Sequence, residues 1–111
     1  MKVLNFTEFT KDPHTDSVFF KTDYQGWRVI CEITQEALDD NFTRTSGPDG
    51  WELETARANT EIIHKMASWK IDFGQFESYQ DKPGDKIITR RIIIRSREVS
   101  ILRRKAEASA E

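Results

Sequence analysis

Cys31, His64 and the alternating trio Asp12, His14 and Asp16 are the side chains of this chain whose types suit nucleophilic, acid–base or metal chemistry. A nucleophile needs a base beside it, a metal needs several converging ligands, and a hydrolytic carboxylate pair must face one bond. Cys31 falls on the apolar side of the alternation Trp27-Arg28-Val29-Ile30-Cys31-Glu32-Ile33, where a thiol reads as a small core residue rather than a nucleophile. His64 has no second His four residues on, so the helical two-His zinc arrangement is missing, and it reads as a helix-surface or boundary residue. Asp12, His14 and Asp16 could point three ligands at a cation, but Lys11-Asp12-Pro13-His14-Thr15-Asp16 is also a cluster of turn formers, and the turn is the expectation. Asp39 and Asp40 are neighbours on a helix, about 100° apart around its axis, and cannot face one scissile bond together. There is no Gly-rich phosphate loop, no dinucleotide fingerprint and no nucleophile elbow. The expectation is a protein with no catalytic residues, no metal and no cofactor.

A concentration of positive charge is what the chain does offer. Residues 1–85 hold 9 basic and 16 acidic side chains, residues 86–105 hold 8 basic and one acidic, and residues 106–111 hold two Glu, within a net charge of −2. The basic stretch is Lys86, Arg90, Arg91, Arg95, Arg97, Arg103, Arg104 and Lys105. Guanidinium groups chelate phosphate with a planar fork of donors, and Arg91, Arg95 and Arg97 are expected to share one strand face. No Phe, Tyr or Trp follows Tyr79, so aromatic rings are not interleaved with these charges as a single-strand binder would need. Two readings follow: the stretch complements the acidic body of its own domain, or it forms a patch for an acidic partner. The first takes precedence, because a charge run is usually a solvated face.

These residues must be positioned by a small α+β fold. Val3-Leu4-Asn5-Phe6 is a short strand candidate, and Val18, Phe20, Trp27, Val29, Cys31 and Ile33 mark the buried face of an antiparallel hairpin over 17–33, with Asp23-Tyr24-Gln25-Gly26 between its arms. Thr34 can cap a short helix reaching about Phe42, with Ala37, Leu38 and Phe42 on one side and Glu36, Asp39 and Asp40 outward. The stretch Thr43 to Gly50 reads as a surface loop. Asp49 and Glu52 stand as the two members of a capping box for one long helix to about Asp72, stopped by Gly74. Beyond the breaker Lys82-Pro83-Gly84-Asp85, the Ile-rich run near 86–95 is a strand of the same antiparallel sheet, with Ile88, Ile92 and Ile94 inward. The domain is drawn as 1–95, with 96–111 a basic C-terminal extension frayed at its end. In it Ser96 could cap a helix bearing Val99, Leu102 and Ala106, or Val99 and Ile101 could continue the strand; the helix is preferred.

Over 111 residues, 37% hydrophobic and 32% charged content fits one soluble domain. No apolar run exceeds three residues, as in Ile92-Ile93-Ile94, so no membrane helix is expected. Asn5, Thr7 and Glu8 interrupt the start before an export signal could form. A single cysteine closes no internal disulfide, and the cytoplasm is the expected compartment.

The segment Cys31-Glu32-Ile33-Thr34-Gln35-Glu36-Ala37-Leu38-Asp39-Asp40-Asn41-Phe42 resembles the small bacterial domain-of-unknown-function family numbered 1488. Asn5-Phe6, Val18-Phe19-Phe20, Arg28-Val29-Ile30, Asn59, Ile62-Ile63, Ala67, Lys70, Phe76 and Ile87-Ile88 extend the resemblance over most of the chain. It implies a compact α+β domain of the bacterial cytoplasm and no activity or site residue. The chain departs from the pattern at Thr43 to Gly50 and in the basic stretch after Thr89, where its particular function is expected to lie. The expected function is that of a non-enzymatic binding or accessory protein. It would act on a protein partner or a second copy through Arg90, Arg91, Arg95, Arg97, Arg103, Arg104 and Lys105. The alternative is nucleic-acid binding through the same arginines, and no membrane is involved.

Overall fold

The computed structural model describes residues 3–77, 84 and 87–109. It is an α+β arrangement of strands β1 (Thr10–Lys11), β2 (Val18–Tyr24), β3 (Trp27–Ile33) and β4 (Thr89–Ile94) with helices α1 (Gln35–Asn41), α2 (Trp51–Ala58), α3 (Thr60–Asp72) and α4 (Val99–Ser109). A 3-10 turn over Ser96–Glu98 leads into α4.

The β2–β3 hairpin follows its alternation. Gln25 and Gly26 both take positive φ, 50° and 83°, the pair of left-handed residues that closes a two-residue turn without splaying the arms. Val18, Phe20, Val29, Cys31 and Ile33 are buried on one face, with Trp27 half-buried at its end. The opposite face carries exposed Lys21, Arg28 and Arg91. Thr34 caps α1 through an Oγ1 that accepts from the Ala37 N–H at 3.1 Å, and Ala37 and Leu38 join the core.

Four expectations are corrected. The sheet is mixed, not antiparallel throughout: its order is β1-β2-β3-β4, and β4 runs parallel to β3 from Arg28↔Thr89 to Ile33↔Ile94. Strand direction is set by the connection rather than by the strand's own residues, and the long helical crossover between β3 and β4 brings the chain back to the end where β3 began. The long helix is broken at Asn59, whose Nδ2 donates to the Thr55 carbonyl at 2.8 Å, while the Thr60 hydroxyl donates to Arg57 O at 2.7 Å. Such local bonds compete with helix continuation. The capping box does not form. Gly50 is the N-cap of α2, Asp49 pairs with Arg57 at 2.8 Å, and Glu52 turns inward to Gln35 at 3.0 Å and Lys11 at 3.4 Å. Residues 3–6 form no strand. They lie against β2 and α3 through side-chain bonds, with the Thr22 hydroxyl donating to Asn5 O at 2.6 Å and the Leu4 N–H donating to Ser68 Oγ at 3.0 Å.

Gly74 does stop α3. At φ 68° it allows the Gln75 N–H to reach the Lys70 carbonyl at 2.8 Å and its own N–H the Ile71 carbonyl at 3.1 Å, the two bonds of a Schellman ending. On β4, Ile92 and Ile94 are buried as expected, but Ile88 precedes the strand and is 38% exposed. The breaker residues Lys82, Pro83 and Asp85, and the basic residue Lys86, lie outside the described residues. The stretch after the 3-10 turn is helical, and Val99, Leu102 and Ala106 are buried within the same core cluster as Ile63, Met66 and Ala67 of α3.

Candidate functional site

Among the described residues, Cys31, His64, Asp12, His14 and Asp16 do not converge into one site. Cys31 is fully buried, and burial pushes its thiol well above the ordinary value, away from the reactive thiolate. His64 packs against Phe6, Phe9 and Phe20, with ring centroids 4.6, 5.5 and 5.7 Å away, and partial burial holds its imidazole below the usual histidine range. In the turn, Asp12 Oδ1 accepts from the His14 N–H at 2.8 Å and Asp16 pairs with Lys11 at 3.2 Å. Among the described residues no three metal-ligating side chains come together. The loop Thr43 to Gly50 is held to its surroundings: Arg44 pairs with Asp39 at 2.8 Å and lies 4.1 Å over the Trp51 ring, and the Thr45 N–H donates to Thr55 Oγ1 at 2.9 Å.

The basic stretch is divided by the fold. Arg91 Nη2 contacts Glu32 Oε1 on neighbouring β3 at 2.7 Å. Arg95 grips Glu77 with both terminal guanidinium nitrogens, Nη2 at 2.6 Å and Nη1 at 3.4 Å, and its hydrogen bond holds the Glu77 carboxyl below the usual range. Arg90 lies over the Trp27 ring at 5.2 Å, Arg103 over Phe42 at 4.9 Å and Lys105 over Trp69 at 5.0 Å. The sequence holds no aromatic beside these cations, yet the fold brings rings to them from distant positions. Arg97 and Arg104 are exposed and form no ion pair among the described residues. The expected single face for Arg91, Arg95 and Arg97 is not formed. The strand ends at Ile94, so Arg91 is on the sheet, Arg95 caps the 3-10 turn and Arg97 lies within it.

What anchors this division is Lys70, which no charge pattern in the sequence singles out. Only 2% exposed on α3, it donates to Ile93 O at 2.7 Å and to Glu98 Oε2 at 2.8 Å, while Glu98 Oε1 accepts the Arg95 N–H at 3.1 Å. The entry to α4 is thereby fixed to both α3 and β4, and one face of α4 is committed to the core.

Two concavities meet this region. An open cleft of about 700 Å³ at the exits of β3 and β4 is lined by Thr34, Gln35, Glu36, Arg95, Ser96 and Arg97 among others. Most of its polar groups already have partners: Thr34 caps α1, Ser96 Oγ donates to Asp40 at 2.6 Å and Arg95 holds Glu77. A second groove of about 300 Å³ runs between α3 and α4, lined by Trp69, Gln75, Arg97, Glu98, Ile101, Leu102 and Lys105. Beside it Phe73 stacks on Trp69 at 4.5 Å while staying 57% exposed, and Ile101 is 52% exposed. Phe73 and Ile101 are surface residues that the charge and turn patterns of the sequence do not single out. The available signal was that Ile101 falls off the Val99, Leu102, Ala106 stripe and so cannot be buried with it.

No helix among the described residues is long and apolar enough to cross a membrane. The chain matches no protein-family model, no curated protein and no solved structure.

Proposed function

We propose that this is a non-enzymatic cytoplasmic binding or accessory protein that engages a protein partner through its basic C-terminal segment. The observation that carries the reading is the company kept by the cations without ion pairs. Arg97 and Arg104 flank exposed Ile101, at spacings that place them on one side of the segment. Charge joined to exposed apolar surface favours a protein partner, since a phosphate backbone makes no use of an aliphatic side chain. Phe73 is the exposed large aromatic among the described residues, and it already stacks on Trp69, which leaves little to support base stacking. The likeness to the domain-of-unknown-function family brings no activity to this reading. The lone buried cysteine agrees with a reducing compartment.

The test uses the full chain, because deleting 96–109 would strip Val99, Leu102 and Ala106 from the core. In crosslinked extracts, a partner captured by the wild type and lost by an Arg97→Glu, Arg104→Glu variant of equal stability supports the reading. Fluorescence anisotropy with labelled single- and double-stranded oligonucleotides tests the alternative. The expected result is no saturable binding at low salt. Saturable, steeply salt-sensitive binding abolished by the same variant would overturn the protein-partner reading in favour of phosphate contact.

A further inference from the structure

We infer that the α3–α4 groove is the seat of an acidic amphipathic segment from a different protein, one apolar side chain of which packs between Trp69, Ile101 and Leu102 while its carboxylates meet Arg97, Arg104 and Lys105. This inference rests on the protein-partner reading and gives it a place and a chemistry.

The floor and rim of the groove have different characters. Trp69 and Leu102 are 7% and 3% exposed and present a wall fixed by the core, whereas Phe73 and Ile101 stand more than half in solvent beside it. A Trp at the base of a small recess, with aliphatic and aromatic neighbours, is the composition of an interface anchor point. The acidic side chain in the lining, Glu98, is engaged by Lys70 and by the Arg95 backbone, so it is already compensated. Arg97 and Lys105 line the groove, and Arg104 sits one helical turn from Ile101 on exposed surface. The rim is therefore cationic and selects carboxylates.

A second copy of this chain is a poor occupant. A two-fold contact through the patch would set Arg97, Arg104 and Lys105 against the same cations of the other molecule. A head-to-tail contact needs an exposed apolar side chain among carboxylates. The exposed large apolar residues of the described chain are Val3, Phe73, Ile87, Ile88 and Ile101. None of them lies on acidic α1, whose apolar Ala37 and Leu38 are already buried.

The experiment is a nitrogen-edited NMR titration of the full chain with two short synthetic peptides of the same Glu- and Leu-rich composition. One has its leucines at helical i, i+3, i+4, i+7 spacing, and in the other they are dispersed around the helix. The patterned peptide is expected to shift the Trp69 indole and Phe73 amide signals at low salt. Its affinity should fall about tenfold in Ile101→Ser and by at least as much in Arg97→Glu, Arg104→Glu. Equal binding of both peptides, abolished by charge reversal with the Trp69 indole unmoved, overturns the groove and leaves the basic-segment reading standing. A Trp69 shift that depends on protein concentration alone would make a second copy the occupant and overturn the inference. No shift with either peptide overturns both.

Discussion

Arg95 and Arg97 lie two residues apart in one charge run and end in different physical situations. Arg95 is held by both oxygens of Glu77, and Arg91, four residues earlier on β4, is held by Glu32. Arg97, and Arg104 beyond it, have solvent and an apolar neighbour instead of a carboxylate. The cause is topological. Parallel pairing puts β4 beside β3 and its Glu32, the chain leaving α3 brings Glu77 to Arg91 O through a 2.8 Å backbone bond, and the 3-10 turn then carries the chain off the sheet. Positive charge along a sequence is thus not a measure of positive charge available to a partner. In this chain Arg91 and Arg95 complement the acidic body, whereas Arg97 and Arg104 face outward.

The sharpest way to break the comparison is to remove what seats α4. Leu102→Ala takes a 3% exposed side chain from the core and should destabilise the protein by about 3 kcal/mol in urea denaturation. A cost typical of surface positions would mean that α4 is not packed on α3. Lys70→Ala should come next, at about 2 kcal/mol, below the usual cost of breaking a buried pair because the Glu98 side chain is 27% exposed and can be rehydrated. Lys70→Met, which keeps the volume and removes the charge, should lose less than Lys70→Ala; the reverse order would contradict packing as a part of its role.

Acid titration gives the smaller effects and separates two windows. Burial holds His64 below its ordinary 6.5, so the unfolded chain takes up that proton first; the contribution is present above pH 6.5 and is lost as pH falls through the lower folded value. Glu77 is held below its ordinary 4.5 by Arg95, so its contribution is present above pH 4.5 and is lost below it. Urea midpoints measured against pH should lose the upper step in His64→Gln and show a smaller lower step in Arg95→Gln, the remainder belonging to Asp12 and Asp39, which are also held below their ordinary values. Arg97→Gln should keep both, and loss of the lower step in Arg97→Gln would place Arg97 in the same structural role as Arg95.

Local elements were legible in the chain, and pairings across distance were not. The hairpin, the Thr34 cap, the Gly74 stop and the Val99, Leu102, Ala106 stripe each follow from spacing and residue type within a few positions. The direction of β4 depends on a crossover, and the break at Asn59 depends on side-chain bonds that compete with a helix the apolar pattern favours. The candidate surface was half legible. Its cations stand out as a run, but Glu32 and Glu77 come from other elements and decide which of the cations are occupied. Trp69, on which Phe73 stacks, shares a groove with Ile101 only because α3 and α4 pack together.

The most direct test of the division is urea denaturation of two double variants side by side, Arg91→Gln, Arg95→Gln against Arg97→Gln, Arg104→Gln. The first pair should cost about 1 kcal/mol, since both ion pairs are partly screened by solvent, and the second should stay within about 0.5 kcal/mol of the wild type. Equal losses, or a larger loss from the second pair, would show that the helix-side arginines hold the fold and would contradict their assignment to an outward binding surface.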